Sequence, residues 1–245
     1  IVDIDEKSLA KIGQFPWRRD IYSKILKNLN LHNPSAIAFD IVFSEKDRQN
    51  PQDLLLQLQN ENDQFNDLSV LNTDKIFNES LKNSKSILAI IGETKDSTVE
   101  NNSKPKLRII SKGEDPKKHL YKFKNKITSL EEINDSASGI GAISLLPSID
   151  GIIRSVPILL NIDNNIWPSL SLEATRLSNN QKNLLIQTDD TGIKLIKTRK
   201  NVIQTDKNAV INVKFKNFDK KNYISAIDII ENNFDKKRIE NNIIL

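Results

Sequence analysis

The sequence contains no cysteine, only two histidines and only seven glycines. The absence of cysteine excludes disulfides, thiol catalysis and thiolate metal sites. His32 and His119 lie far apart and have no acidic ligand pattern beside them, so no metal site is predicted. Gly139 and Gly141 lack the strand–turn–helix setting of a phosphate-binding loop, so no cofactor is predicted either.

Long hydrophobic runs are also absent, because nowhere do about 18 apolar residues follow one another, as a membrane-spanning helix requires. The chain has no methionine and begins directly on a strand-like segment, Ile1–Ile4. Its other end stops in a predicted strand, Asn242–Leu245. We therefore expect this chain to be a piece of a longer protein.

The charge of the chain is modest, at a net +4, and lysines alternate with acidic residues throughout. A nucleic-acid-binding surface needs a concentrated basic stripe, ideally with aromatic residues between the cations. The densest basic stretch, Lys117–Lys126, contains Tyr121 and Phe123 but lies in a polar region that we expect to be peripheral. No nucleic-acid partner is predicted.

Apolar runs and helical patterns alternate in the first part of the chain. Strands are predicted at Ile1–Ile4, Ala36–Phe43 and Ser86–Ile91, and helices around Ile21–Leu29, at Pro51–Leu58 and at Asp74–Leu81. The run Ala36–Phe43 is almost continuously apolar, which is typical of a strand covered on both faces. The alternation predicts an α/β fold with a mixed, largely parallel sheet and helices on both faces.

The second half of the chain adds inserted β-hairpins to this fold. Asp163–Asn165 and Asp189–Gly192 have the residues of tight turns, and each lies between two strand-like segments. Residues 93–138 are rich in Lys, Ser and Asn, and we predict an elaborated, partly mobile excursion there. With no internal repeat evident, residues 1–245 are expected to form one domain.

Asp40 lies inside the predicted strand Ala36–Phe43, where an ionised carboxylate needs a cation or several hydrogen bonds. We predict that Asp40 is buried and paired with Arg19, at the start of a helix, or with Arg154, which interrupts an apolar strand. Two interpretations stay open. The residues form a structural ion-pair network, or they form a polar site at the strand ends, where open α/β sheets bind ligands.

Asp3 and Asp5 follow an apolar residue and could serve a phosphohydrolase as nucleophile and acid/base. That class also needs a small hydroxyl residue soon after, together with a separate lysine and acidic pair. Glu6 and the residues that follow it do not reproduce this loop. The simpler interpretation is that these carboxylates cap a helix or pair with arginine, and no catalytic residue is assigned.

Together these segments resemble the CHASE2 domain, a sensor module of bacterial membrane receptors. The positions that carry the resemblance are Asp3, Asp5, Ser8 and Leu9; Pro16, Trp17 and Arg19; Ala36–Ser44, with Asp40; Asp150, Gly151, Arg154 and Pro157; Pro168–Ala174; and Ser225–Ile230. The chain departs from the family at Arg18, where proline is usual. The acidic pair usual after the second strand is also weak, with only Asp47 and Asp53.

The resemblance implies a non-catalytic, extracytoplasmic, periplasmic sensor domain of a membrane-anchored signalling protein. Flanking membrane helices and a cytoplasmic cyclase or kinase would lie outside this chain. The signal would be a small molecule or a protein, and the domain could pair as a homodimer. The alternatives are the phosphohydrolase above and a purely structural dimerisation module.

The sequence predicts one candidate ligand site, formed where its charged segments converge. Asp3 and Asp5 would share one face at a strand end, where Arg19, Asp40 and the segment Asp150–Arg154 converge. An arginine there could orient a small polar or anionic molecule by a two-pronged hydrogen bond.

Overall fold

The computed structural model describes residues 1–61, 70–95, 102–146, 150–198 and 201–245. Helices in this part are α1 (Glu6–Ile12), α2 (Arg19–Asn30), α3 (Pro51–Glu61), α4 (Thr73–Lys82), α5 (Glu131–Ser136), α6 (Leu170–Ser178) and α7 (Ala226–Ile230). The first eight strands are β1 (Val2–Asp3), β2 (Ala36–Ala38), β3 (Ser86–Glu93), β4 (Arg108–Lys112), β5 (Lys122–Phe123), β6 (Asn125–Thr128), β7 (Gly139–Ala142) and β8 (Ser155–Pro157). The others are β9 (Leu159–Ile162), β10 (Asn165–Pro168), β11 (Asn183–Asp189), β12 (Gly192–Lys197), β13 (Val202–Ile203), β14 (Val210–Asn212), β15 (Ile224–Ser225) and β16 (Ile243–Ile244).

The main sheet is built around β3, whose apolar run Ile87–Ile90 is fully buried. β16, β2, β3 and β7 are parallel to one another, and only β6 runs antiparallel. A continuous apolar run suits such a strand, because helices cover it on both faces. The predicted α/β class, with a mixed and largely parallel sheet, is confirmed.

The predicted strand Ala36–Phe43 is wrong in its second half, since β2 ends at Ala38. Along one edge of β3, β7 pairs with Ile87–Ile90, and along the other edge β2 reaches only as far as Ile87. From Ile90 onward that second edge is occupied by antiparallel β6. The chain after β2 therefore leaves the sheet, and its Phe43 backbone bonds instead to the residues that follow β6.

The two faces of the main sheet are packed differently. On one face, Ile37, Leu88 and Phe77 belong to a large core with α2, α4 and α7. On the other, α6 lies close to β7 because β7 carries glycine, and a Cβ added at Gly141 would lie 2.5 Å from the Cα of Leu170. Gly139 and Gly141, which are not a phosphate loop, are therefore a packing surface for α6.

The predicted hairpins are present, and they belong to two further sheets. β9 and β10 pair antiparallel in a sheet of order β10-β9-β5, and β11 and β12 pair antiparallel in one of order β13-β12-β11-β4. The segment 93–138 supplies β4, β5, β6 and α5, and it thus contributes a strand to the main sheet and to each of these two sheets. Its residues 96–101 lie outside the described residues, and its mobility stays a prediction.

The two ends of the chain lie side by side. β1 pairs in parallel with β15, and the backbone nitrogen of Val2 donates a hydrogen bond of 2.7 Å to the carbonyl oxygen of Leu245. This bond joins the small β1–β15 sheet to the end of β16 in the main sheet. α7 follows β15 directly and packs in the same core as α2.

Candidate functional site

Five aromatic side chains form a continuous buried group at the start of α2: Trp17, Tyr22, Phe39, Phe43 and Phe77. The ring centroids of Tyr22 and Phe43 are 5.3 Å apart, and those of Phe43 and Phe77 are 4.9 Å apart, both with tilted or edge-on geometry. Such pairs stabilise a core beyond simple burial of area. These rings form a packed apolar surface, and the charged groups described next lie against it.

Arg19, the first residue of α2, lies on this apolar surface and is only 8% exposed. Its guanidinium carbon is 4.4 Å from the centroid of the Phe43 ring, in a cation–π contact. Its Nη2 donates to the carbonyl oxygen of Glu45 at 3.0 Å. Its Nε lies 3.5 Å from Oδ1 of Asp74 without a hydrogen bond, so the guanidinium is incompletely satisfied.

Asp47 holds the loop after β2 against two helices. Its buried carboxylate accepts hydrogen bonds from the backbone nitrogen of Arg19 at 2.7 Å, from Thr73 Oγ1 at 2.7 Å and from the backbone nitrogen of Gln49 at 3.0 Å. These three donors satisfy the acceptor atoms of the carboxylate without a paired cation. Asp47 thereby fixes the loop to the N-terminal ends of α2 and α4.

Asp74 completes the charged group in a less favourable environment. Its Oδ2 accepts a hydrogen bond of 3.1 Å from the backbone nitrogen of Asp47. Burial raises the pKa of Asp74 above its ordinary value, and that hydrogen bond and the charge of Arg19 oppose this effect only in part. The ionised form of Asp74 is therefore destabilised relative to the same group in water.

Tyr22 presents a buried hydroxyl to the same region and is 2% exposed. Burial raises the pKa of Tyr22 to about 12, and the charge of Arg19 acts in the opposite direction. The hydroxyl lies near the Trp17 backbone but makes no hydrogen bond of acceptable geometry. A buried hydroxyl without a partner is unusual, and it leaves one donor available.

A cavity of about 480 Å³ opens beside these residues, between the segment before α2 and the loop after β2. Its wall consists of Gln14, Phe15, Pro16, Trp17, Arg19, Tyr22 and all residues of the segment 41–49. The wall is mainly apolar, and Arg19 is its buried cation. A concave apolar site with a few fixed polar groups is typical of small-molecule binding. We call it the Arg19 cavity.

The whole chain matches one known family, since the family model of the CHASE2 domain covers residues 1–245. The chain belongs to the CHASE2 family. Searches of curated proteins and of solved structures give no match to it. CHASE2 is an extracellular sensor domain family, so a sensory role follows from membership.

The prediction for Asp40 is wrong, because in this CHASE2 domain Asp40 is exposed and lies in a bend after β2. Its predicted partners are elsewhere, since Arg19 contacts Asp74 and Arg154 contacts Asp150. The physical reason is the early end of β2. Once β6 takes the place beside β3, Asp40 no longer lies in a strand covered on both faces.

Asp3 and Asp5 do not share one strand face, because β1 ends at Asp3 and Asp5 is the N-cap of α1. Asp3 is exposed. The Oδ1 atom of Asp5 accepts hydrogen bonds from Ser8 and from Ser225 Oγ. Burial acts to raise the pKa of Asp5, but these hydrogen bonds outweigh it and hold the pKa below its ordinary value. Asp5 thus caps α1 and ties it to β15.

Asp150 and Arg154 form an exposed pair of their own, with Nη2 and Oδ2 at 2.8 Å and both side chains about half exposed. Within the part of the chain described, no hydrogen bond or ion pair joins this pair, Asp5 or Asp40 to Arg19. Of the six predicted residues, only Arg19 lines the Arg19 cavity. The structure therefore does not bring the predicted constellation together, and a ligand role for the other five stays a prediction.

A buried ion pair does exist in this CHASE2 domain, between two residues of α6. Glu173 is fully buried, and its two oxygens accept from Nη2 and Nε of Arg176 at 2.6 and 2.7 Å. Nη1 of Arg176 donates to the carbonyl oxygen of Gln181. A sealed pair of this kind has a structural role.

Sequence reasoning missed the residues that surround Arg19. Asp47 was visible only as a remnant of the family's acidic pair, and Asp74 only as the start of a helix. The pair Glu173 and Arg176 had a usable signal, since opposite charges three residues apart on a predicted helix lie on one face. In the described residues, no group of three or more acidic or histidine side chains could hold a metal ion.

Proposed function

We propose that this CHASE2 domain is the periplasmic sensor of a membrane-bound receptor and passes a signal to a cytoplasmic cyclase or kinase. The observation that carries the proposal is the family match over residues 1–245, in a family of extracellular sensor domains. No helix in the described residues is long and apolar enough to cross a membrane. The anchoring helices of the proposed receptor would lie outside residues 1–245.

The position of the chain ends supports a receptor of this kind. Because Val2 and Leu245 are hydrogen-bonded to each other, segments attached to the two ends would leave the domain together. Two membrane helices could then start at one side of the domain. A movement of one end relative to the other would reach both helices.

A packed route connects the Arg19 cavity with these ends. α2 begins at Arg19, and Asn28 near its other end donates hydrogen bonds to the carbonyl oxygens of Ile229 and Ile230 in α7, at 2.8 and 3.1 Å. β15 lies directly before α7 and pairs with β1. A ligand that favoured one position of α2 would shift the arrangement of the ends, provided that its affinity differed between the two arrangements.

Location is the first part of the proposal to test. In the full-length protein, with any other cysteine replaced, Lys24→Cys introduces a thiol on the exposed face of α2. We expect a membrane-impermeant maleimide to label this thiol in intact bacterial spheroplasts. The matched control is Ser23→Cys at the neighbouring position, which is 2% exposed and should stay unlabelled until the protein unfolds. Labelling of Lys24→Cys only after lysis would contradict a periplasmic location.

The enzyme alternative predicts a different result. A phosphohydrolase would turn over a generic phosphate ester with Mg²⁺, and Asp3→Asn would abolish that turnover. The proposal includes no catalysis, so we expect no turnover above that of the buffer. The structural dimerisation module, the third hypothesis, predicts that no small molecule binds saturably.

A further inference from the structure

We infer that the Arg19 cavity binds a small monocarboxylate with an apolar or aromatic body, held by Arg19 and Tyr22. The inference names a ligand class for the sensor proposed above. The role of this ligand in signalling rests on the proposed function, whereas its binding to the cavity does not.

The guanidinium of Arg19 makes only some of the hydrogen bonds that it can donate. Arg19 Nη2 bonds to the Glu45 carbonyl, and Nε lies near Asp74. Nε is buried without an acceptor, and the side-chain hydrogen bond seen from the guanidinium to a described residue is the one from Nη2. A guanidinium that lines a cavity with an unused N–H group is suited to a planar carboxylate.

The acidic groups in the cavity wall do not compete for that position. Asp47 is occupied by three donors, and Glu45 pairs with Arg48 at the outer rim. Lys46 also lines the wall, so cationic side chains outnumber acidic ones there. The wall therefore has an excess of one positive charge, and Asp74, the acid 3.5 Å from Arg19, is not one of its residues.

The second polar group is the hydroxyl of Tyr22, a residue that lines the cavity; the hydroxyl itself is buried and lacks a well-formed hydrogen bond. It can donate to one carboxylate oxygen while Arg19 donates to the other. One arginine and one hydroxyl supply donors for the two oxygens of a single carboxylate. A phosphate dianion would need further cations to offset its desolvation.

The remainder of the wall determines the body of the ligand. Phe15, Trp17 and Phe43 supply ring surface, and Ile41 and Val42 supply aliphatic surface. The volume of about 480 Å³ lies within the range of about 300–1,000 Å³ typical of small-molecule sites. The cavity could therefore hold an aromatic ring with a short acidic substituent.

The probe is sodium benzoate, with benzamide as the neutral molecule of the same shape and acetate as the acid without a ring. Binding is followed by calorimetry and by the two tryptophan indole N–H signals in ¹⁵N-edited NMR spectra. The chain has only Trp17 and Trp167, so the second indole, which is buried and bonded to the Ile162 carbonyl, is an internal control. We expect benzoate to shift the Trp17 signal saturably and to leave the Trp167 signal in place.

The decisive variant is Tyr22→Phe, since it removes only the hydroxyl. Because that hydroxyl has no well-formed partner in the free protein, the variant should fold and be at least as stable as the parent. It should bind benzoate about tenfold more weakly, the loss expected for one hydrogen bond to a charged group. Tyr121→Phe, at an exposed tyrosine, is the matched control and should bind like the parent.

Three results would overturn the inference: no saturable shift of Trp17 with benzoate, equal binding of benzoate and benzamide, or unchanged benzoate affinity in Tyr22→Phe. These failures are distinct from failure of the proposed function. If benzoate binds as expected but Lys24→Cys labels only in lysed cells, the site stands and the receptor role falls. If labelling succeeds and benzoate fails, the receptor role stands without this ligand class.

Discussion

Arg19 and Arg176, the two buried arginines among the described residues, differ in how completely their charges are satisfied. Arg176 forms two short hydrogen bonds to Glu173 and a third to a backbone carbonyl, and neither side chain lines the Arg19 cavity. Arg19 has one carbonyl acceptor, an acid 3.5 Å away without a hydrogen bond, and a cavity in front of it.

This difference separates a structural charge from one that is available for binding. Arg19 is 8% exposed and Arg176 is 5% exposed, so burial alone does not distinguish the two arginines. The number of satisfied N–H groups and the space beside them do. The following four predictions test this distinction, from the largest expected effect to the smallest.

Glu173→Ala should be the most damaging change, since it leaves Arg176 charged and unpaired in the core. Breaking such a pair costs about 3–5 kcal/mol, so we expect a loss of that size in the free energy of unfolding measured in urea. The double variant Glu173→Met with Arg176→Met should lose less, because no charge is left unpaired. As a control, Lys118→Met removes an exposed pair with Glu114 and should leave the unfolding midpoint unchanged. A larger loss in the double variant than in Glu173→Ala would contradict a sealed structural pair.

Arg19→Met should cost less than Glu173→Ala, although Arg19 is equally buried. Asp47 keeps its own donors, and Asp74 lines a second cavity, from which water can solvate it once the guanidinium is gone. We expect a loss of about 1–3 kcal/mol in the free energy of unfolding, the range for hydrogen bonds that involve charge. A loss as large as that of Glu173→Ala, measured in the same urea series, would remove the distinction between the two arginines.

Asp74 should give the domain a pH dependence of the opposite sign to that of a well-paired acid. Its pKa is raised in the folded state, so the folded protein binds a proton more readily than the unfolded chain. Stability linked to Asp74 is therefore fully present below the ordinary pKa of 3.8 and decreases as the pH rises through the raised value. Asp74→Asn should abolish this contribution. The unfolding free energy of the variant, relative to that of the parent, should therefore increase as the pH rises. Parallel curves for the two proteins between pH values of about 3.5 and 7 would contradict the raised pKa.

Asp40→Ala should have the smallest effect, because Asp40 is exposed and has no ion pair among the described residues. The unfolding free energy should change by no more than about 0.5 kcal/mol, as for ordinary surface substitutions. A loss of several kcal/mol in the free energy of unfolding would instead support the sequence-based prediction that Asp40 is buried.

The sequence was sufficient for the class of fold because hydrophobic periodicity is a local property. The buried strand at Ser86–Ile91 and the helix with Ile25 and Leu29 on its inner face are both present. The end of β2 could not be predicted in this way. It depends on β6, Asn125–Thr128, in which only Ile127 is apolar and which pairs with a strand more than thirty residues earlier.

Of the residues predicted from the sequence to form a ligand site, only Arg19 lines the Arg19 cavity. Arg19 was recognised from the family resemblance and from its place at the start of a helix. Asp47 reaches Arg19 from a loop 28 residues along the chain, and Asp74 contacts the Asp47 backbone from a helix 27 residues further on. The unsatisfied state of Tyr22 depends on the geometry of all these groups together, and no pattern along one sequence encodes it.

The hydrogen bond between Val2 and Leu245 also makes the domain suitable for insertion into another protein. Its two ends lie close enough to replace a single surface loop of a fluorescent host without stretching either partner. Occupation of the Arg19 cavity could then be read as a change in emission. Equally, a short glycine–serine linker from residue 245 to residue 1 would permit circular permutants, with new ends at any exposed turn.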